Sequence, residues 1–395
     1  MEKFKQLLTE EVQQFINDRI GKSVSDLAFQ KNPFPQVDWK LMLNQIEAKS
    51  KAKDKLPTWF SKSKIIFPSK VAVEQTSSEQ TAQYKSSLIV GNSLIDLTGG
   101  FGVDTFYFSK RFSKVNHCER NNELSEIVKH NFSQLKVNNI NCISGDSELI
   151  LSDLNQKFDW IFIDPSRRND AKGKVFILSD CEPNVPELLD FYYKFSSSIL
   201  IKTAPLLDLS AGLKELKNVA TIHIIALENE VKELLWEIKQ NHSDFPIIKT
   251  VNITKKGIEK FEFKKFTDTQ KPLFSEPEKY LYEPNTAVMK SGGFDEVSSQ
   301  FDIKKLHQHS HLYTSDKEIT FCGRVFEIQK QLSYNKIEMK LFLENQKANV
   351  TVRNFPETVE NIRKKWKIKD GGELFCFFTT DLNNNKIVLL CKKLK

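Results

Sequence analysis

The chain has 395 residues, 28% of them charged and 39% hydrophobic, with a formal charge of +7. No apolar run approaches the ~20 residues of a membrane-spanning helix, and Met1-Glu2-Lys3-Phe4-Lys5 opens a polar amphipathic stretch unlike a signal peptide. Cysteines 118, 142, 181, 322, 376 and 391 are scattered with no Cys-x-x-Cys pair, which excludes a disulfide framework or zinc site and points to reduced thiols of a cytoplasmic protein.

Residues 1 to about 70 read as helical. Phe4, Leu7, Leu8, Val12, Phe15 and Ile16 recur at helical spacing, as do Leu41, Leu43 and Ile46. Asn32-Pro33-Phe34-Pro35 breaks this segment and Leu56-Pro57-Thr58-Trp59-Phe60 closes it. A helix over Glu79 to Lys85 leads into the first strand, Ser93-Leu94-Ile95-Asp96. Strands then fall at 93–96, 114–119, 140–144, 158–163, 197–202 and 219–227, and helices near 102–111, 122–137 and 184–194. Such alternation predicts a Rossmann-like α/β fold, a mostly parallel sheet with helices on its faces.

Beyond residue 245 the rhythm changes. Thr250-Val251-Asn252-Ile253 and Phe261-Glu262-Phe263 alternate as a hairpin around Lys256-Gly257. Tyr280 to Ser315 mixes a small helix with turns, and the end reads strand (324–329), strand (348–352), helix (358–366), strand (373–379). From Arg324 onward there are 15 Lys and Arg against 8 Asp and Glu, so the whole positive excess sits in the last fifth. A basic module beside a neutral core is suited to a polyanion; a solubility tail is the plainer alternative. The expected parts are a helical segment (1–72), an α/β domain (73–275), a small linking domain (276–320) and a basic module (321–395).

Asp96-Leu97-Thr98-Gly99-Gly100-Phe101-Gly102 carries the chemistry. Gly100 and Gly102 let the chain turn sharply out of a strand and bring backbone against a ligand, where a Cβ would intrude. Thr98 and Asp104 flank the turn. Glu119 ends the second strand, where a carboxylate accepts from both hydroxyls of a ribose. Asp146, followed by Ser147, ends the third and is placed to take an adenine amino group. Asp164-Pro165-Ser166-Arg167-Arg168 ends the fourth. Each acid alone suits a solvated loop equally well; four at one rim of the sheet suit an adenosine cofactor. His307, His309 and His311 alternate near the basic module, but no Cys or carboxylate accompanies them, so a surface role is expected and no metal.

The run from Ser93 to Arg168 resembles a class I S-adenosylmethionine-dependent methyltransferase. Glu74-Gln75-Thr76-Ser77-Ser78-Glu79, the Asp96–Asp104 turn, Asp164-Pro165-Ser166-Arg167-Arg168, Tyr282-Glu283-Pro284-Asn285 and Val352-Arg353-Asn354-Phe355-Pro356 are similar to those of a bacterial group with a helical N-terminal part and a THUMP-like tail. The resemblance implies S-adenosylmethionine as cofactor, with Asp96, Thr98, Gly100, Gly102, Glu119, Asp146 and Ser147 around it. It implies a ferredoxin-like character for the linking domain. THUMP domains present RNA to such enzymes, so tRNA or rRNA is the implied partner, and relatives of the core methylate guanine N2.

Asp164-Pro165 stands where amino-methyltransferases carry Asn/Asp-Pro-Pro-aromatic, which makes Asp164, Pro165, Ser166 and Arg167 the implied catalytic segment. Ser166-Arg167 departs from that pattern by removing the base-stacking ring; Arg167 or Arg168 stacks on a base or holds a phosphate instead, or is a plain surface pair. No cysteine nucleophile follows the fourth strand or Thr203-Ala204-Pro205, which argues against pyrimidine C5 chemistry. Asp164, Lys202 and Glu230 leave a ribose 2′-O route open, with Lys202 alternatively a lysine snorkelling from its strand end. Two other readings stay in view: an RNA-binding protein on a vestigial methyltransferase fold, and a small-molecule or protein methyltransferase whose tail makes a dimer.

Overall fold

The computed structural model describes residues 1–167, 177–266 and 271–394. Two compact units divide it: Met1–Ala220 with Leu235–Ser243, and Thr221–Leu234 with Asp244–Lys395.

The first unit begins with helices. Trp39–Lys55 is capped by Asp38, whose Oδ1 accepts from Leu41 N at 2.9 Å. It buries Met42, Leu43 and Ile46 among Phe4, Leu7, Val12 and Ile16, the apolar face that the helical spacing marks. Phe4 and Leu7 lie on a 3-10 turn, Glu2–Leu8, and Val12 and Ile16 on the helix Glu10–Asn17.

Strands follow: β1 (Gly91–Asp96), β2 (Phe112–Glu119), β3 (Ile140–Ser144), β4 (Trp160–Ile163), the short pair β5 (Ser166–Arg167) and β6 (Cys181–Glu182), β7 (Ser198–Thr203), β8 (Val219–Leu227) and β9 (Glu230–Lys239). β7, β4, β1, β2 and β3 lie side by side in that order and are all parallel. All four residues of β4 are buried, the continuous apolar run expected of a strand covered on both faces. Asp96 pairs with His117 and Phe162, and Glu119 with Ser144. That register brings the C-terminal ends of β1 to β4 to one edge of the sheet. The last part of β9 lies along β7, with Trp236 Nε1 donating to Thr203 Oγ1 at 3.0 Å. Helices Ser147–Leu154 and Leu209–Glu215 are additions to the sequence reading; Asp146 and Asp208 cap them.

In the second unit β8 pairs in parallel with β10 (Ile247–Thr254), which pairs antiparallel with β11 (Gly257–Lys264), the hairpin expected around Lys256-Gly257. A further sheet holds β12 (Tyr280–Pro284), β13 (Lys304–Lys305), β14 (Tyr313–Ser315), β15 (Gly323–Ser333), β16 (Asn349–Val352), β17 (Leu374–Thr380) and β18 (Lys386–Lys393), ordered β13-β14-β12-β15-β18-β17-β16. Alternation along β17 separates its side chains: Phe377 packs with Leu281, Leu312 and Leu389, whereas Cys376 and Phe378 pack with Met339, Ile362 and Val388.

The basic module therefore holds two elements beyond those expected. Helix Lys336–Phe342 follows β15 because Asn335 caps it, accepting from Ile337 N and Glu338 N at 3.0 and 2.9 Å. β18 closes the chain with five consecutive buried residues, Ile387 to Cys391. Its apolar run is short enough to escape a periodicity search.

Candidate active site

Asp96 ends β1 and shapes the turn that follows. Its Oδ1 accepts from Thr98 N at 3.0 Å and its Oδ2 from Thr105 Oγ1 at 2.6 Å, so both oxygens are used within the protein. It is 1% exposed. Burial, against the hydrogen bonds of Thr105 and Thr98, raises its pKa from 3.8 to about 7. Gly102 adopts φ +78, and a Cβ there would lie 2.6 Å from the Phe132 ring. Helix packing against the turn thus requires a glycine there.

Beyond the strand ends lies a hollow of about 590 Å³, within the ~300–1,000 Å³ of small-molecule sites. Thr98, Glu119, Asp146, Ser147, Asp164 and Ser166 line it. Glu119 Oε2 accepts from Gly100 N at 3.0 Å and Oε1 from Asn121 N at 2.7 Å, which fixes its carboxylate at the end of β2. Asp146 Oδ1 accepts from Glu148 N and Leu149 N at 3.0 and 3.2 Å, a helix cap. Asp96, Gly100, Gly102 and Pro165 are absent from the lining. Asp96 thus stands behind the turn, and sequence spacing alone does not tell it from Glu119, Asp146 and Asp164, the strand-end acids that line the hollow. Arg167 pairs through its backbone with Cys181; Arg168 lies outside the described residues.

Along 99% of both chains, the protein superposes on the crystal structure of a "putative methyltransferase" from Porphyromonas gingivalis W83, with 30% identity and a TM-score of 0.88. The chain belongs to the class I S-adenosylmethionine-dependent methyltransferases, in the bacterial group with a C-terminal THUMP-like domain. Within this methyltransferase, residues 280–321 match a ferredoxin-like domain family and residues 323–393 a THUMP domain-like family. An rRNA methylase from Streptococcus thermophilus (13% identity, 41% of this chain, 96% of that one) and the M. jannaschii tRNA m1G37 methyltransferase (13% identity, 42% and 51%) give TM-scores of 0.30 and 0.31. At such scores neither bears on what this chain does. Among curated proteins, none matches the sequence.

In this methyltransferase Asp164 is held from two sides. Its N–H donates to Thr98 Oγ1 at 2.6 Å, and Lys202 Nζ donates to its Oδ2. Lys202, 9% exposed, also lies 3.7 Å from Asp104. Asp104 in turn accepts from Lys85 Nζ at 2.8 Å and Ser77 Oγ at 2.9 Å. Burial pushes the Asp104 pKa up, but Lys85 and Lys202 outweigh it and hold the carboxyl below its ordinary range. Glu79 accepts from Thr58 N, Thr58 Oγ1 and Tyr107 Oη at 2.6 to 2.7 Å. The Glu74–Glu79 motif is therefore the support of the glycine turn. Lys85 is the residue that sequence reasoning missed, since nothing local distinguishes it from a solvated helical lysine.

Other candidates are absent from the lining of the hollow. Glu230 is exposed and pairs with Lys232 at 2.6 Å. His307 Nε2 lies 3.1 Å from Asn384 Oδ1, while His311 stacks on Phe294 with ring centroids 3.5 Å apart. Among the described residues no group of three His, Cys, Asp or Glu is placed to hold a metal, and no helix is long and apolar enough to cross a membrane.

Proposed function

We propose that this methyltransferase uses S-adenosylmethionine to methylate RNA, tRNA or rRNA, with a base amine as the acceptor. The observation that carries the reading is the convergence of Thr98, Glu119, Asp146 and Asp164 on one hollow at the strand ends. These residues fit an adenosyl cofactor by their chemistry. Glu119 is an anchored carboxylate suited to a ribose diol, and Ser147 and Thr98 add hydroxyls beside it. When bound, S-adenosylmethionine supplies an electrophilic methyl group.

The protein's own part is positioning, which is most of what methyl transfer asks of it. Lys202 engages Asp164 Oδ2, while Oδ1 takes no bond among the described residues. In this reading Oδ1 accepts an N–H of the target amine, and the Pro165 carbonyl is a second acceptor. Both aim the nitrogen lone pair into the hollow. Thr98, bonded to the Asp164 N–H, keeps that segment level with the turn. Ser166 lines the rim where Pro-aromatic would otherwise stand.

RNA is supported by charge. Lys364, Lys367 and Lys369 are exposed around the helix Val359–Trp366 of the basic module, and such a cluster attracts phosphates. Residues 73–275 then act as the catalytic domain and 321–395 as the RNA grip.

Calorimetry with S-adenosylhomocysteine, followed by transfer of labelled methyl to total tRNA and rRNA, tests the reading. Asp164→Ala is expected to keep ligand binding and lose transfer. Reversing Lys364, Lys367 and Lys369 to Glu should make the salt dependence of RNA affinity shallower, by roughly 0.7–0.9 in log–log slope for each phosphate no longer neutralised. No binding at millimolar ligand overturns the cofactor reading; unchanged RNA affinity overturns the grip.

A further inference from the structure

Two of the alternating histidines, His307 and His309, belong to a second concavity of about 460 Å³, inside the unit that ends at Lys395. Phe274, His307, Gln308, His309, Leu382 and Asn384 line it. Three stretches of chain meet there, and the fold fastens each of them. Asp381 builds the one that carries Leu382 and Asn384. Its Oδ1 accepts from Asn383 N at 2.9 Å and Asn385 N at 2.8 Å, and its Oδ2 from Asn385 Nδ2 at 3.0 Å. Leu306 N donates to Leu312 O at 3.0 Å, closing the loop of His307 and His309. Phe274 is held from both sides by Lys305, whose N donates to Leu273 O at 2.8 Å and whose O accepts from Ser275 N at 3.1 Å.

His307 is fixed at both ring nitrogens. Its Nδ1 lies 3.1 Å from His309 N and 2.9 Å from Asn354 Nδ2. Two donors make that atom the acceptor, so Nε2 carries the ring hydrogen and donates to Asn384 Oδ1 at 3.1 Å. Asn354 comes from the Val352–Pro356 motif, which thus serves this pocket as well as the Glu283 ion pair.

What the pocket leaves open is chemically specific. The Phe274 ring is 46% exposed, where a large apolar side chain is ordinarily covered. The His309 ring, the Gln308 amide and Asn384 Nδ2 make no hydrogen bond among the described residues. No lysine, arginine or carboxylate lines the pocket among those residues. Such a lining does not select a phosphate or an ammonium. It suits a flat, uncharged ring, with Phe and His to stack on its face and amides to meet its edge.

We propose that this pocket holds one nucleobase ring, stacked on Phe274 and His309 and met at its edge by Gln308 and Asn384 Nδ2. The two sources of such a ring are an unpaired stretch of RNA and a free nucleoside. This is a second site, and it does not rest on what fills the strand-end hollow.

The fluorescence of 2-aminopurine changes when the base stacks, and it serves as the probe. It is offered once as the free riboside and once inside a short oligouridylate, with S-adenosylhomocysteine in excess to occupy the hollow. Wild type is expected to give a saturable change with the oligonucleotide, the riboside or both. Phe274→Ala should weaken that binding about tenfold or more, the scale of one base stacked on an aromatic ring. His309→Ala should weaken it severalfold. A response to the oligonucleotide alone assigns the base to RNA; a response to the riboside shows that a nucleoside suffices. Both variants should keep the thermal midpoint of wild type, because both side chains are exposed. No response from wild type, equal affinity in all three proteins, or a midpoint several degrees lower in both variants would overturn the assignment. The methyltransferase reading would stand in each of those cases.

Discussion

Lys85, 0% exposed, places its ammonium 2.8 Å from Oδ1 of Asp104, which sits 19 residues further along the chain. Asp104 relays that contact toward Lys202, and Lys202 holds Asp164. A buried ammonium is stable only while its partner is ionised and close. This pair therefore links the helix Glu79–Leu88 to the glycine turn and, through Lys202, to the hollow.

Removing one member should be worse than removing both. Lys85→Met is expected to lower stability by about 2 kcal/mol, less than a buried charge left wholly unpaired would cost, because Lys202 and Ser77 still face Asp104. Lys85→Met combined with Asp104→Leu should recover part of that loss. Urea unfolding of the three proteins measures it. A single variant as stable as wild type would show that the pair does not hold the turn.

Asp96 gives stability a pH signature. Its folded pKa, about 7, lies above its ordinary 3.8. The folded state therefore keeps the proton between those values, and the contribution of this group to stability falls as pH rises from about 4 to 7, then levels. The steepest slope is roughly 1.4 kcal/mol per pH unit for one full proton. Burial lowers His117 from 6.5 to about 4, which tilts stability the other way over that range. The difference between wild type and Asp96→Asn isolates the acid. A difference that stays flat from pH 5 to pH 7 contradicts the buried, protonated Asp96.

Two adjacent glycines should answer alanine differently. A Cβ on Gly99 would run into the ring of His117, which is 0% exposed and has no room to retreat. A Cβ on Gly100 meets nothing nearer than the Thr98 carbonyl at 3.7 Å, although its φ is +54. Gly99→Ala is expected to destabilise by about 3 kcal/mol and Gly100→Ala by about 1 kcal/mol, the strain of a left-handed residue. Chemical denaturation ranks them; equal losses would refute the packing role of Gly99.

Glu283, 2% exposed, receives Arg324 Nε at 2.6 Å and Arg353 Nη2 at 2.9 Å. Its neighbour Asn285 caps the helix Thr286–Ser291 through Val288 N at 3.0 Å and donates to Glu259 at 3.0 Å. Tyr282-Glu283-Pro284-Asn285 and Arg353 are thus two halves of one structural knot. Because both arginines are about a third exposed, Glu283→Gln should destabilise by about 2 kcal/mol, less than a sealed pair would lose. Hydrogen exchange at β12 and β15 should rise with it. Protection unchanged there would separate the two motifs.

The sequence by itself determined the elements and the edge at which they gather. Strand and helix periodicities in 93–227 are local properties of the chain, and parallel strands necessarily bring their C-terminal ends together. Glu119, Asp146 and Asp164 were legible as strand-end acids for that reason. Short elements were not: helix Lys336–Phe342 and β18 owe their form to caps and to packing against neighbours distant in sequence.

Only the tertiary structure decided which polar groups turn inward. Asp96 spends both oxygens on Thr98 and Thr105, Lys85 reaches Asp104, and Asn184 declines to cap its own helix. An acid, a lysine and an asparagine carry the same letters whether solvated or buried. What separates them is the field and the partners supplied by residues tens of positions away, and those exist only once the chain has folded.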